Sequence, residues 1–297
     1  MRIGTSLHAI YFKFFDLIDY QKLWMLDFTK DYGLETNEVF AYFYSLCCTF
    51  LPNDFDNSFI FYNIKSFCFF QMDRWAECKV ATKNFTDTKN AFHIPLGDRE
   101  DFMVDNVFQM FGRVDCKIRE KDKLIICDYK SGYIPISVVE ERKNGVYMQG
   151  SFPGHYRHEG VFYCILQMLK DGYTFRKELR PDGQKQWFMY HYNERVKDYK
   201  NYDWAFIFTN SYMVKRKSAF CARGRASLVT INTVLDKCEE IRSQKSFIRK
   251  IDPYTCGNCQ FFLPDCSKVM DVALFRDVLR SPDAAQDGVP ESEPGDE

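Results

Sequence analysis

The stretch LIICDYKSGY at 124–133 decides the fold that this chain is expected to adopt. Four apolar residues, typical of a buried strand, run directly into Asp128 and Lys130, an acid and a base two positions apart. Because strand side chains repeat every two residues, both charged groups point to one face of a sheet. The pattern predicts that a buried strand delivers charged groups to one end of that sheet.

The segment just before it, FGRVDCKI at 111–118, predicts a partner strand. The polar stretch REKDK at 119–123 is typical of a turn, which makes the two strands antiparallel neighbours. Asp115 then lies near the same end of the pair as Asp128 and Lys130. We therefore expect these three side chains to converge at one end of one sheet face.

The rest of the chain predicts a mixed α/β fold. Apolar residues at helical spacing indicate helices at 5–18, 35–50, 155–170 and 227–247. Short segments rich in β-forming residues indicate strands at 78–85, 91–96, 111–118, 123–130, 186–194 and 203–210. This order predicts a sheet flanked by helices.

Composition excludes several classes of protein. A chain of 297 residues with 46% hydrophobic residues can bury a core. Its longest apolar stretch, at 59–70, is interrupted by polar residues and is shorter than the roughly 20 residues of a membrane span. The N-terminal segment has no small-residue cleavage site, so we expect a cytoplasmic location. Twelve scattered cysteines indicate reduced thiols, some of them binding metal, and not a secreted disulfide framework.

Charge is distributed unevenly along the chain. The end of the chain, 281–297, holds six acids and no base, and without them 35 acidic residues face 40 basic ones. Basic residues interleaved with aromatics occur at 212–225, and more follow at Arg242, Lys245, Arg249 and Lys250. These basic positions either follow a phosphate backbone or form a solvated face.

Two carboxylates and a lysine at a strand end are the groups that phosphodiester hydrolysis needs. Oxygen ligands hold Mg²⁺ or Mn²⁺, which polarises the phosphate and lowers the pKa of water. A lysine positions that water or neutralises developing charge. An ordinary hairpin with solvated charges explains the same spacing, since Asp-x-Lys often occurs by chance.

Four motifs together resemble the PD-(D/E)XK nuclease superfamily. GRVD, ending at Asp115, is followed thirteen residues later by the aspartate of CDYKSG. GTSLH at 4–8 resembles the upstream Gly-x-x-x-His helix of the RecB-like branch, which includes the CRISPR-associated exonucleases. EGVFY at 159–163 resembles its downstream Gln-x-x-x-Tyr helix. Cys-x-x-Cys and a third cysteine at 256–266 resemble members with an iron–sulfur cluster.

This resemblance implies a restriction-endonuclease-like mixed sheet flanked by helices, with a metal-dependent site. The implied metal ligands are His8, Asp115, Asp128 and the backbone carbonyl of Tyr129. The implied catalytic residues are Asp115, Asp128, Lys130 and Tyr163. The cation is Mg²⁺ or Mn²⁺, and an imidazole ligand is compatible with a preference for Mn²⁺. Taken alone, His8 is better explained as a surface histidine on an amphipathic helix.

Two features depart from the family pattern. Glu159 replaces a glutamine, which donates and accepts hydrogen bonds, by a carboxylate that only accepts when ionised. Its role stays open between an added metal ligand and a charge that repels DNA. The separation between His8 and Asp115 is long, which predicts an inserted or enlarged helical layer at about 20–75. The aromatic residues of that layer are expected to form core and not a base-stacking surface.

The cysteine segment predicts an iron–sulfur site with Cys256, Cys259 and Cys266 as ligands. A [4Fe–4S] cluster usually takes four thiolates, and the fourth cysteine of the family lies upstream of the Gly-x-x-x-His helix, where this sequence has none. Three explanations stay open: a shortened N-terminus, substitution by another thiol such as Cys47 or Cys48, or simple packing of three cysteines.

Together these observations predict a nuclease domain at 1–275, containing the cysteine segment 256–266, and a disordered acidic tail at 276–297. The expected activity is a Mg²⁺- or Mn²⁺-dependent exonuclease on single-stranded or frayed DNA. Expected partners are DNA and proteins of repair, CRISPR or replication systems, with no membrane. One alternative is a nucleic-acid-binding or structural subunit that no longer cuts. Another is a non-nuclease metal or iron–sulfur protein, which would bind iron without degrading DNA.

Overall fold

A computed structural model of the chain describes residues 3–28, 35–51, 57–133, 138–142, 145–149, 154–196, 201–210 and 218–243. Met1–Arg242 form one compact unit. The second unit is Ser243–Glu297, and beyond Ser243 it lies outside the described residues. The predicted boundary at 275, the cysteine segment and the acidic tail therefore stay predictions.

The described strands form three sheets. The strands are β1 (Arg99–Asp105), β2 (Met110–Glu120), β3 (Lys123–Tyr133), β4 (Val138–Arg142), β5 (Gly145–Gln149), β6 (Tyr173–Leu179), β7 (Lys185–His191), β8 (Glu194–Arg195), β9 (Tyr202–Asn210) and β10 (Phe220–Arg225). The main sheet has five strands in the order β1-β2-β3-β9-β10, while β4-β5 and β6-β7-β8 form smaller sheets. In the main sheet β3 and β9 are parallel and the other neighbours are antiparallel.

Helices cover both faces of the main sheet. They are α1 (Ile3–Phe14), α2 (Tyr20–Met25), α3 (Glu38–Cys48), α4 (Ser58–Thr82), α5 (Phe85–Phe92), α6 (Gly154–Lys170) and α7 (Leu228–Ser243). Alternate residues of β9 show the two layers. Ala205 and Ile207 join the core formed with α1–α5, whereas Phe206 and Phe208 join the core formed with α6 and α7. The predicted α/β class, with a mixed sheet flanked by helices, is confirmed.

Two predicted strands, at 78–85 and 91–96, are wrong. Helix α4 continues to Thr82, and Lys83 ends it in the left-handed conformation with φ 62°. The side chain of Asn84 then accepts a hydrogen bond from a backbone N–H and caps α5. Because α4 packs against helices and the sheet, its buried residues do not form one stripe, and its helical period is hard to read. The helical layer therefore extends to Phe92 instead of ending near 75.

The hairpin that the sequence predicts is confirmed. Strands β2 and β3 pair antiparallel from Glu120↔Lys123 to Cys116↔Cys127. The helices predicted near 5–18, 35–50, 155–170 and 227–247 and the strands near 186–194 and 203–210 also form, with shifted ends. Strand β1 is not anticipated by the sequence patterns. Among the described helices, none has both the length and the apolar character that crossing a membrane would require.

Candidate active site

The site lies where β2 and β3 separate. Their described ladder ends at Cys116↔Cys127, and Asp115 is the next residue of β2. Its Oδ2 accepts a hydrogen bond from the backbone N–H of Tyr129 at 2.5 Å. A side-chain carboxylate thus replaces a backbone carbonyl as the partner of β3. The strands are held apart at this point, and the carboxylate of Asp115 lies in the gap.

Helix α1 brings His8 to this gap. Leu7 and Tyr11 are buried beneath the helix, whereas the side chain of His8 is 31% exposed at its margin. The Nδ1 of His8 lies 3.1 Å from Oδ1 of Asp115, a residue 107 positions away in sequence. This hydrogen bond raises the pKa of His8, although burial acts in the opposite direction. The predicted pairing of His8 with the strand carboxylates is therefore present in the geometry.

Tyr129 presents its backbone, and not its ring, to the gap. The ring is buried on the side of α1, where its hydroxyl accepts a hydrogen bond from Nε2 of Gln71 at 3.3 Å. Within a strand, the N–H and C=O of one residue point toward the same neighbouring strand. Since the N–H reaches Asp115, the carbonyl of Tyr129 also faces β2. This is the direction that the predicted backbone ligand requires.

Asp128 and Lys130 approach the gap from the opposite face, beneath α6. Asp128 is 8% exposed, and its Oδ2 lies 2.5 Å from Nζ of Lys130. Nζ also donates a hydrogen bond to Oε1 of Glu159 at 3.0 Å. The rings of Tyr156 and Phe206 flank the ammonium at 5.8 and 5.3 Å. The expectation of a single sheet face is thus corrected, because Asp115 turns toward α1 and Asp128 toward α6.

The electrostatics of Asp128 and Lys130 distinguish their roles. Burial lowers the pKa of Lys130, but the charges of Asp128 and Glu159 outweigh it and raise that pKa. Lys130 is therefore protonated near neutral pH in the cation-free site. Burial, reinforced by the charge of Asp115, raises the pKa of Asp128 to about 7. Its buried Oδ2 lies 2.5 Å from the ammonium of Lys130, and this contact only partly offsets the cost of burying the charge.

Glu100 is a site residue that the sequence reasoning missed. Strand β1 pairs with β2 through Arg99↔Cys116 and Asp101↔Val114, which places Glu100 opposite Asp115. Ligand atoms of His8, Glu100 and Asp115 all lie within 4.8 Å of one another. Glu100 has φ 47°, a left-handed conformation uncommon outside glycine and one that often marks functional positions. Nothing local in the sequence distinguishes this acid, because its placement depends on the unpredicted strand β1.

The donor set fits a hard divalent cation. Imidazole nitrogen and carboxylate oxygen suit Mn²⁺ and, with more oxygen ligands, Mg²⁺. Burial and the nearby charge of Asp115 raise the pKa of Asp128, so its charged form is disfavoured in the cation-free gap. A divalent cation bound there would add positive charge and favour the charged form of Asp128. The described residues whose ligand atoms already lie together are His8, Glu100 and Asp115, while Asp128 and the backbone of Tyr129 border the same gap.

Close packing of α6 on the sheet positions Glu159. A Cβ built at Gly160 would lie 2.5 Å from the indole of Trp204, so only glycine permits this approach of the helix to β9. The neighbouring Glu159 thereby reaches Lys130. The sequence left the role of Glu159 open, and in this structure Glu159 is an ion-pair partner of Lys130.

Tyr163 lies one turn after Glu159 on α6, beside the same gap. Its ring packs on the backbone of Gly112, where an added Cβ would lie 2.9 Å from the ring. Burial, together with the negative charges of Asp128 and Glu159, raises the pKa of Tyr163 to about 12. The phenol therefore stays protonated near neutral pH and can donate a hydrogen bond.

The predicted basic positions are only partly described, and those that are described make structural contacts. Arg223 forms ion pairs with Asp203 and Glu120 at 3.0 and 2.8 Å. Arg225 lies 3.7 Å from Asp203, and Arg242 donates to a backbone carbonyl at 3.1 Å. The remaining basic positions of that prediction lie outside the described residues.

Cysteines in the described residues are free thiols and form no disulfide among themselves. Cys47 is buried, with its sulfur 3.8 Å from that of Cys68, and Cys48 is half-buried. Cys256, Cys259 and Cys266 lie outside the described residues, so the iron–sulfur site stays a prediction.

The structure brings six predicted site residues to one gap between α1, the β2–β3 hairpin and α6. They are His8, Asp115, Asp128, Tyr129, Lys130 and Tyr163.

Comparison of the chain with protein-family models, curated proteins and solved structures gave no match. What can be inferred about function therefore depends on the residues and geometry described above.

Proposed function

We propose that this chain is a Mg²⁺- or Mn²⁺-dependent deoxyribonuclease of the PD-(D/E)XK type, acting as an exonuclease on single-stranded or frayed DNA. The observation that carries the proposal is the contact between His8 and Asp115, beside the buried pair of Asp128 and Lys130. A hairpin with merely solvated charges would neither bury Asp128 nor attract a histidine from a distant helix. Side chains from α1, β2 and β3 converge at one point, as expected for residues of one active site.

The architecture also supports the proposal. The strands that carry Asp115 and Asp128 are adjacent members of a mixed sheet flanked by helices. The restriction-endonuclease-like fold that the resemblance implies has the same general description. The helices that carry His8 and Tyr163 lie on opposite faces of that sheet and reach its gap from both sides.

In this proposal, His8, Glu100 and Asp115 hold the cation with Asp128 and the carbonyl of Tyr129. When bound, the cation polarises the scissile phosphate and lowers the pKa of the attacking water. Asp115 has a second task, because its Oδ2 fixes the backbone of Tyr129 and so the direction of that carbonyl. His8 must be neutral to act as a ligand, and its raised pKa in the cation-free protein means that a bound cation competes with a proton there.

Lys130 and Tyr163 complete the proposed chemistry as donors to the substrate. Lys130 stays protonated and is aimed by Asp128 and Glu159, so it neutralises charge that develops on the phosphate. Tyr163 donates from its protonated phenol to a phosphate oxygen. Both groups act as fixed electrostatic partners, and neither accepts a proton during the reaction.

The test uses 5′- and 3′-labelled single- and double-stranded DNA with Mn²⁺, Mg²⁺ or EDTA. We expect cleavage with either cation and none in EDTA. Asp115→Ala and Lys130→Ala should each lower the rate by roughly 10²-fold or more, because each removes a ligand or a charge stabiliser. Lys185→Ala, at an exposed lysine of β7, is the matched control and should cut normally.

The outcomes separate the hypotheses. Variants with normal folding and normal cleavage rates would exclude the assignment of these residues as the active site. Binding of DNA without cleavage under any cation would instead favour the non-cutting subunit. The labelled ends also report polarity, since product from only one end identifies the direction of an exonuclease.

A further inference from the structure

The outer face of the β1–β2 hairpin carries exposed aromatic side chains. Phe102, Val104 and Phe111 are 56%, 58% and 70% exposed. Register places Val104 opposite Phe111 and Phe102 opposite Arg113, so these residues form one continuous surface. The ring centroids of Phe102 and Phe111 lie 6.4 Å apart. A grouping of large exposed apolar side chains typically marks a binding surface.

This surface continues directly from the candidate active site. The same register that pairs Phe102 with Arg113 places Glu100 opposite Asp115, two residues along each strand. Two residues of a strand span roughly 7 Å. The aromatic surface therefore begins about 7 Å, or two residues along each strand, from the proposed metal ligands Glu100 and Asp115.

A groove beside the surface places two cations next to the carboxylates of the metal-binding group. It lies between α1 and the hairpin and encloses about 430 Å³. Its lining includes His8, Glu100 and Asp115 together with Lys13 and Arg113. One Nη1–H of Arg113 donates to Glu100 at 3.3 Å, and its side chain is 63% exposed. The groove thus combines the metal-binding group with two cations open to solvent.

The hairpin that bears this surface is fixed in place. Its inner face buries Met103 and Met110 against the core that contains α6. At its tip, the ring of Phe108 lies 6.3 Å from Phe175 and 5.8 Å from Trp187. Exposure of Phe102 and Phe111 is therefore not the result of an unpacked hairpin. A fixed surface loses little conformational entropy when it binds a partner.

We propose that this face of the hairpin binds the bases of a single DNA strand, with Phe102 and Phe111 as stacking groups. Arg113 and Lys13 contact the phosphates that lead into the active site. The proposal deepens the proposed nuclease function and rests on it for the choice of DNA. Aromatic side chains beside cations recognise single strands, since unpaired bases offer their ring faces and the backbone is anionic. A paired duplex keeps those faces stacked and could not use this surface.

Binding of a fluorescein-labelled oligothymidine, measured by anisotropy in EDTA, tests the proposal without cleavage. The variant F102L/F111L keeps apolar surface but removes the aromatic faces, and should raise Kd by roughly 5- to 150-fold for each stacked base that is lost. F102W/F111W should bind at least as tightly as the native protein. Leu179→Ala, at an exposed leucine of β6, is the matched control and should leave Kd unchanged.

A second probe separates stacking from general apolar contact. An oligonucleotide with abasic sites should bind the native protein more weakly than the normal strand, while F102L/F111L should no longer distinguish the two. Equal binding of the normal strand by the native protein and F102L/F111L, with normal thermal melting of both, would overturn the inference. So would a native dimer that F102S/F111S converts to a monomer with unchanged DNA affinity, because the surface would then serve a second copy.

These outcomes are independent of the nuclease test. Stacking-dependent binding without cleavage under any cation would support this surface and contradict the nuclease. Metal-dependent cleavage by a protein whose DNA affinity is unchanged in F102L/F111L would support the nuclease and contradict this surface.

Discussion

Replacement of Asp128 by asparagine should stabilise the cation-free protein while abolishing cleavage. Asparagine has nearly the shape of aspartate but carries no charge, so it removes the repulsion with Asp115 and the cost of burying an ion. The proposed ligand and charge are lost at the same time. Stability and activity should therefore change in opposite directions, as expected where a site carries unfavourable charge for the sake of function.

The pH dependence gives the size of the effect. The pKa of Asp128 is about 7 in the folded protein against an ordinary value of 3.8. Because the folded state binds this proton more tightly than the unfolded chain, the free energy of unfolding falls as pH rises between those two values. The free energy of unfolding of the native protein should fall by about 2 to 3 kcal/mol between about pH 5 and about pH 8 through the titration of Asp128 alone. The asparagine variant has no titrating group at this position and should not show that fall.

Urea denaturation in EDTA at both pH values checks this. We expect Asp128→Asn to gain about 2 to 3 kcal/mol relative to the native protein on going from about pH 5 to about pH 8. Comparing the two proteins cancels the pH dependence of groups they share, apart from neighbours coupled to Asp128. Added Mn²⁺ should stabilise the native protein far more than the variant. A variant equally destabilised at both pH values would refute the claim that Asp128 is a strained buried acid.

Three further predictions concern residues around and beyond the site. Glu100→Gln should weaken Mn²⁺ binding, measured by calorimetry, by roughly 10- to 100-fold with little change in melting temperature; unchanged affinity would remove Glu100 from the ligand set. Truncation after residue 280 should leave cleavage unchanged or slightly raise DNA affinity in a filter-binding assay, since an acidic segment competes with phosphate; failure of the truncated chain to fold would contradict this. Anaerobically purified protein should contain iron and sulfide, and Cys259→Ser should lose them; a colourless native protein would leave these cysteines as packing residues.

The β2–β3 hairpin was predictable because its information is local. Alternation along 111–118 and 123–130, with a polar turn between them, predicts two antiparallel strands and places Asp115, Asp128 and Lys130 near one end. The boundary between α4 and α5 is also a local signal, since Lys83 ends one helix and Asn84 caps the next. Helix α4 is buried on several sides and has no single apolar stripe, so β propensity alone predicts strands there.

The site itself was predictable only in part. The sequence motifs indicated His8, Asp115, Asp128 and Lys130 as site residues. The structure places His8 in contact with Asp115, as a shared metal site would require. Glu100 could not be named, because its position depends on the register of β1 against β2.

By itself, the sequence determined the α/β class, the hairpin and the chemical types gathered near its end, because strand and helix periods are properties of neighbouring residues. Only the tertiary structure decided that Asp115 turns toward α1 and Asp128 toward α6. It alone decided that Glu159 neutralises Lys130, through the close approach of α6 that Gly160 permits. Burial and contacts between distant segments set these charges, and neither can be read from the order of residues alone.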